Sequence, residues 1–318
     1  MLDIFSKIKL SFKNDKFKIL MISDIQEDLD YDPRTIPAIS KLLDFVNPDL
    51  CVLGGDICDG QVVKGYDNTK KYLDLFLEPL ETKNIPWMHI FGNHDHDSDL
   101  DKNVLNDIYR SYQHCISKTT PKIYGTTNYF IPIYNNDLIA YGLWAIDSNN
   151  RIEQSGLNID FDITTVNRLE TSYFFDIIHF DQLQWYYNSS VELEQKFNSK
   201  IPSTLFCHYA PAEFQYLLNN KEMCKTCGTT DENLLIAAFN SGLFSTILQR
   251  KDIKCIASGH SHLDTACGQF CKITCCLDGC AGYKPYGDDN TRGGRVIELN
   301  LKDLDKVNTY MIHYKDIL

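Results

Sequence analysis

Long apolar runs are missing from these 318 residues. No stretch approaches the ~18 continuous apolar residues of a helical membrane span, so no membrane-spanning helix is expected. The opening MLDIFSKIKLSFKNDKFKIL lacks an apolar core followed by a small-residue cleavage site, which predicts a cytoplasmic chain. Dense Lys/Arg runs are missing too, and the net charge is −12. A chain that held nucleic acid or an anionic membrane mainly by charge would normally be basic, so no nucleic-acid partner is expected. Internal repeats, low-complexity tracts and long polar linkers do not occur. The expectation is one domain over 1–318, with irregular cap or surface loops near 148–180 and 211–231. With 43% hydrophobic and 23% charged residues, the composition excludes a disordered chain.

Cysteine, by contrast, is plentiful, at twelve residues. Without a secretory signal, stable disulfides are the weaker reading. Cys51, Cys207 and Cys255 fall inside apolar strand patterns, where a free thiol is a small buried hydrophobe. CKTC at Cys224–Cys227 is half of a zinc knuckle or a redox motif, and no second CxxC completes it. Cys267, Cys271, Cys275, Cys276 and Cys280 could supply partners for zinc or a disulfide, but free thiols are the favoured reading.

The hydrophobic pattern alternates strand and helix. Strands are expected at 17–23, 49–54 and 86–91, with helices near 34–46, 69–80 and 101–113 between and after them, as in βαβ units with a mainly parallel sheet. Further strands are expected at 128–134, 138–147, 203–208 and 253–258, with helices near 181–196 and 232–249. The tail, 270–277, 294–300 and 307–313, reads as short antiparallel strands. Together these predict two packed sheets with helices outside.

Five strand ends run straight from apolar residues into metal-capable side chains. They are Asp24 with Gln26, LGGDICDG with Asp56 and Asp59, FGNHDHD with Asn93, His94 and Asp95, FCHYAP with His208, and ASGHSH with His260 and His262. Each alone fits a turn or a structural histidine. In order, they bring oxygen and nitrogen donors to the carboxyl edge of a sheet, where α/β sites form. Carboxylate, amide and imidazole suit Mn, Fe or Zn rather than a thiolate zinc cage. A shared Asp56 could bridge two ions about 3.5–4 Å apart. Two dications against two carboxylates would also give an acidic chain a locally positive site for an anionic substrate.

These blocks, Asp24, GGD, GNHD, His208 and GHSH, resemble the signature of the calcineurin-like metallophosphoesterase superfamily. The later run ASGHSHLDTACGQ…CAGYKPYGDDNTRGGRVIEL is similar to a subgroup of fungal cell-cycle-regulator phosphatases and plant purple-acid-phosphatase-like proteins. The resemblance implies a four-layer α/β/β/α sandwich of two mixed β-sheets flanked by helices, with two divalent or transition metal ions. By position, Asp24, Asp56 and His262 would hold one ion. Asp56 would bridge to a second, held by Asn93, His208 and His260. His94 matches the histidine that approaches the leaving-group oxygen while an activated hydroxide attacks phosphorus. Asp59 is expected to orient His94, with Asp95 the competing partner. Asp59 also stands where true purple acid phosphatases carry a metal-bound tyrosine, so iron–tyrosinate chemistry is not implied.

Superfamily members usually carry His where this chain has Gln26. Three readings stay open: Gln26 ligates through its amide oxygen, it hydrogen-bonds a coordinated water, or it leaves the first site weak. In the Gly-rich segment after the last block, Arg292 and Tyr283 are the candidate substrate contacts, against a solvated turn arginine. The implied function is phosphate-ester hydrolysis, monoester favoured, on a phosphorylated small molecule or protein. A phosphodiesterase, or a binding module that kept the fold, is the alternative.

Overall fold

Alternation within the apolar runs sorts the molecule into layers. The computed structural model describes residues 2–157, 175–230, 234–237 and 239–318. Its strands are β1 (Leu10–Ser11), β2 (Lys16–Ile22), β3 (Leu50–Leu53), β4 (Trp87–His89), β5 (Tyr129–Asn135), β6 (Leu138–Ala145), β7 (Ser203–Phe206), β8 (Ile253–Ser258), β9 (Cys267–Phe270), β10 (Ile273–Leu277), β11 (Gly293–Asn300) and β12 (Asp303–His313). One sheet has the order β12-β11-β2-β3-β4 and the other β1-β5-β6-β7-β8-β10-β9. Both are mixed: β2–β3–β4 and β6–β7–β8–β10 run parallel, while β11, β12, β5 and β9 pair antiparallel with neighbours.

In β2, Ile19 and Met21 join the core between the sheets, with Val52 of β3, Met88 of β4 and Ala257 of β8. Leu20 and Ile22 face the opposite way, under helices α1 (Thr35–Val46) and α2 (Tyr66–Thr82). Successive strand residues point to opposite faces, so a strand covered on both reads as one continuous apolar run. On the far side, Trp144, Leu205 and Ile256 of the second sheet pack with Leu183 and Tyr186 of the 18-residue helix Phe180–Phe197 and Ile247 of the helix Leu243–Arg250. The result is the four-layer α/β/β/α sandwich. Cys51, Cys207 and Cys255 are fully buried in it. Among the described residues no helix is long and apolar enough to cross a membrane.

Two expected elements differ. The strand at 270–277 is a hairpin, β9–β10, because Cys271 and Lys272 both take left-handed backbone (φ 51° and 66°) and form a two-residue turn. The helix at 232–249 begins only at Leu243, after Gly242 at φ 84°; residues 231–233 and 238 lie outside the described set. Of the expected cap at 148–180, 158–174 also lies outside it, and the remainder carries a short turn of helix, Ile152–Gln154. The 211–231 segment is more ordered than a loop, with a helix at Phe214–Asn219 and a bridge from Cys227 to Cys267.

Candidate metal centre

The donor-bearing loops leave the carboxyl ends of β2, β3, β4, β7 and β8 and turn sharply. Asp24, Gln26, Asp56 and His260 have φ of 53°, 41°, 50° and 70°. Such backbone costs a non-glycine residue of order 1–3 kcal/mol and persists only where its surroundings enforce it. Here the loops fasten one another: Asp24 N–H donates to Gly55 O (3.0 Å), Gln26 N–H to Asp56 O (2.8 Å) and Gly259 N–H to His208 O (3.1 Å). His260 N–H donates to Asp24 Oδ2 (2.9 Å), and His94 N–H to Asp56 Oδ1 (2.7 Å). The glycines of GGD and GNH clear the space. A Cβ on Gly55 would lie 2.4 Å from His208 Nδ1, and one on Gly92 2.2 Å from Asp56 Oδ1.

Asp24 Oδ1, Gln26 Oε1, Asp56 Oδ2, Asn93 Oδ1, His208 Nε2 and His260 Nε2 are buried and make no hydrogen bond. Buried polar atoms normally find a partner, so six orphans where the carboxyl ends of the two sheets meet fit a cation site. Histidine tautomers strengthen the case. His208 Nδ1 is 2.9 Å from the Gly54 carbonyl and His262 Nδ1 2.8 Å from the Tyr286 carbonyl. A carbonyl only accepts, so each Nδ1 carries a proton, and in the neutral ring each Nε2 offers a lone pair. Those lone pairs face Asp56 Oδ2 at 3.1 Å and Asp24 Oδ1 at 3.2 Å. Donating the second ring N–H to a carbonyl is the habit of metal-binding histidines. Asp56, His208 and His260 also place one donor atom each within 4.8 Å of one another.

Electrostatics agree. Burial presses His208 down, but the charge of Asp56 outweighs it and pushes the imidazole up to about 9. Burial opposes the charge on Asp56, yet His208, then His94 and His260, hold its carboxyl well below the usual range. Asp56 and His208 thus share a proton that a cation can replace. Burial, with His208 beside it, lowers His260 well below the ordinary value, leaving a neutral imidazole.

Around His94 the placement departs from expectation. The Asp59 carboxylate accepts from Gln61 N–H (3.0 Å) and makes no hydrogen bond to His94. Asp95 is buried and turned inward, accepting from Gly92 N–H (3.0 Å) and Tyr109 OH (3.3 Å). The carboxylate beside His94 is Asp97, with Oδ2 3.6 Å from Nδ1. Gln61 Nε2 and Asn150 Nδ2 hold Asp97 in turn, at 2.8 and 3.2 Å. His96, expected as an exposed loop residue, instead pairs with buried Asp147 at 2.8 Å.

The Gly-rich segment also differs. Arg292 is neither a solvated turn arginine nor open to substrate. It is 3% exposed, and its guanidinium donates to Gly282 O, Pro285 O (2.9 Å) and Asp289 (2.8 Å). The Tyr283 ring lies between the guanidinium groups of Arg34 (4.1 Å) and Arg292 (5.4 Å). Tyr283 ties the loop to Glu27, a buried carboxylate that accepts from Tyr283 N–H (3.1 Å). Glu27 directly follows Gln26 of the first donor block, where no pattern distinguishes a carboxylate that anchors a loop from a solvated one. Arg151 was missed as well: none of the ion pairs or side-chain hydrogen bonds among the described residues uses its guanidinium. It follows Asn150, whose carbonyl accepts from Tyr209 OH (2.8 Å), next in sequence to His208.

The chain is similar to known proteins. Over 94% of its length the chain is 26% identical to "Probable inactive purple acid phosphatase 14" of Arabidopsis thaliana, covering 79% of that protein. It is 24% identical to "Phosphatase DCR2" of Saccharomyces cerevisiae over 80% of its length, covering 45% of that protein. A dimetal phosphatase from Danio rerio has a similar fold, with TM-score 0.57 and 13% identity, over 94% of this chain and 99% of that one. Residues 17–264, a span that carries every donor loop described above, match the profile of the calcineurin-like phosphoesterases, and the chain belongs to that family.

Proposed function

We propose that the chain is a metal-dependent phosphoesterase acting on phosphorylated substrates. Asp24, Gln26, Asp56 and His262 would hold one ion, and Asp56, Asn93, His208 and His260 a second, with Mn, Fe or Zn as the candidates. The observation that carries this reading is the set of six buried, partnerless donor atoms where the carboxyl ends of the two sheets meet. Bound ions would supply positive charge to the phosphoryl oxygens and a nucleophile at neutral pH. The orphaned Gln26 Oε1 favours direct ligation among the three readings for that residue.

The chain's own residues do the rest. His94 donates a proton to the departing oxygen. Its Nδ1 faces Asp97, which keeps Nε2 for the substrate. Arg151 is the available cation for a phosphate, in place of Arg292, whose donors are committed. Resemblance to the phosphatase subgroup favours a monoester. A second reading, a binding module without turnover, draws on the neutral amide at Gln26 and on the word "inactive" in the plant relative's name.

Protein stripped of metal and titrated with Mn, Fe, Zn or Mg would be assayed on paired aryl monoesters and diesters. The expected result is metal-dependent hydrolysis, faster on the monoester and lost in His94→Ala. Stoichiometric metal binding with no turnover on either ester would favour the binding module.

A further inference from the structure

The motif that the metal centre leaves unused is Cys224–Cys227, and the fold separates its thiols. Cys224 is buried, with Sγ 4.0 Å from the Tyr216 carbonyl. Cys227 is exposed and stands opposite Cys267, the first residue of β9. Each donates its N–H to the other's carbonyl at 2.8 Å, and the two Sγ atoms are 3.7 Å apart. Residues that exchange both backbone bonds have Cα atoms about 5.5 Å apart, inside the range a disulfide spans. Side-chain rotation with a small closing movement of the two backbones brings the sulfurs together.

We propose that Cys227 and Cys267 form a dithiol–disulfide site, oxidised by a low-molecular-weight disulfide such as glutathione disulfide. The Cys227 thiolate attacks one sulfur of the oxidant, forming a mixed disulfide and expelling one glutathione thiolate. The Cys267 thiolate then attacks the Cys227 sulfur and expels the second. The two protein thiols lose two protons and two electrons, and one glutathione disulfide takes them up to leave as two molecules of reduced glutathione.

The order follows from access. Burial pushes the Cys267 thiol up to about 12, whereas Cys227 faces solvent. Cys276 lies opposite Cys267 in the hairpin and 4.0 Å from Cys255 Sγ, but both are fully buried, beyond reach of an oxidant. A zinc site is the poorer reading, since no group of three or more close ligands among the described residues includes a cysteine.

The bond would have a structural consequence. Residues 227–230 form a strap along 264–267: Thr229 Oγ1 donates to Leu263 O (2.9 Å), and Thr229 N–H to Thr265 Oγ1 (3.1 Å). The loop closed by a 227–267 disulfide contains His260 and His262. Oxidation would fix the strap to the segment that follows these histidines, and raise the melting midpoint by constraining the unfolded chain. This inference stands apart from the catalytic reading.

The full chain would be equilibrated in mixtures of oxidised and reduced glutathione, alkylated, digested and mapped by mass spectrometry. The expected product is a peptide joining Cys227 to Cys267, reversed by dithiothreitol and accompanied by a higher melting midpoint. In Cys267→Ser, Cys227 should stall as the glutathione adduct. In Cys227→Ser, Cys267 should stay reduced. A Cys224–Cys227 link, a stable glutathione adduct on the unsubstituted protein, or no loss of thiols would overturn the proposal.

Discussion

Single residues at the centre divide into atoms that hold and atoms that hand over. His94→Ala is expected to lower kcat by about 10²–10⁴-fold, the usual worth of a general acid, while bound metal measured by elemental analysis stays near the unsubstituted level. Asp97→Asn should act through His94 and leave KM unchanged. Its loss in kcat should be larger for an alkyl or phenyl ester than for a 4-nitrophenyl ester, because a good leaving group needs little protonation. An equal loss on both would make Asp97 structural only. Gln26→His replaces an amide oxygen by a stronger donor for Zn or Fe, and should tighten one of two metal equivalents in a competition titration. Unchanged affinity would place residue 26 outside the coordination shell. The donors themselves were legible in the sequence, because each ends an apolar run in a distinctive block. Asp97 was not, because its nearness to His94 depends on the single helical turn Asn93–His96, which sets residues three apart side by side.

At the scale of elements, legibility followed hydrophobic periodicity and failed at turns. The long strands and the helices at Thr35–Val46 and Phe180–Phe197 carry clear patterns. Cys271-Lys272 carries none of the Asn or Gly that marks a tight hairpin, so β9 and β10 read as one strand. One element also predicts a pH response. His89, in β4, is fully buried and bonds Asn106 Oδ1 (3.0 Å) on the helix Lys102–Arg110. Burial, only partly offset by that bond, lowers its pKa to about 3. Between the ordinary histidine value of ~6.5 and 3, the unfolded chain binds a proton that the folded one refuses, so this contribution is complete above pH ~6.5 and is lost on acidification. The slope should approach about 1.4 kcal/mol per pH unit at most. His89→Gln keeps a donor for Asn106 and should flatten the pH dependence of urea unfolding across that window. An unchanged slope would assign the acid sensitivity to other groups.

For the whole molecule, the acidic balance of −12 and the buried donor cluster belong together. Asp24 and Asp56 each keep one buried oxygen without a hydrogen bond in an acidic protein. Chelation should therefore lower the melting midpoint, and added Mn or Zn should restore it in a concentration-dependent way. At a hundredfold excess over Kd, one site contributes about 2.7 kcal/mol. A midpoint indifferent to chelator would argue against a resident metal.

The layering has a kinetic corollary. Asp24, Asp56 and Asn93 follow strands of one sheet, and His208 and His260 follow strands of the other. Neither sheet alone carries a complete donor set, and the inter-sheet core, with Met21, Val52, Met88 and Ala257, brings the halves into register together with the bonds from His208 to Gly54 and from His260 to Asp24. Metal capture is thus a reporter of docking between the sheets. During refolding it should lag the appearance of secondary structure, and a cavity at Met88 should weaken the grip on the ions before any helix or strand is lost.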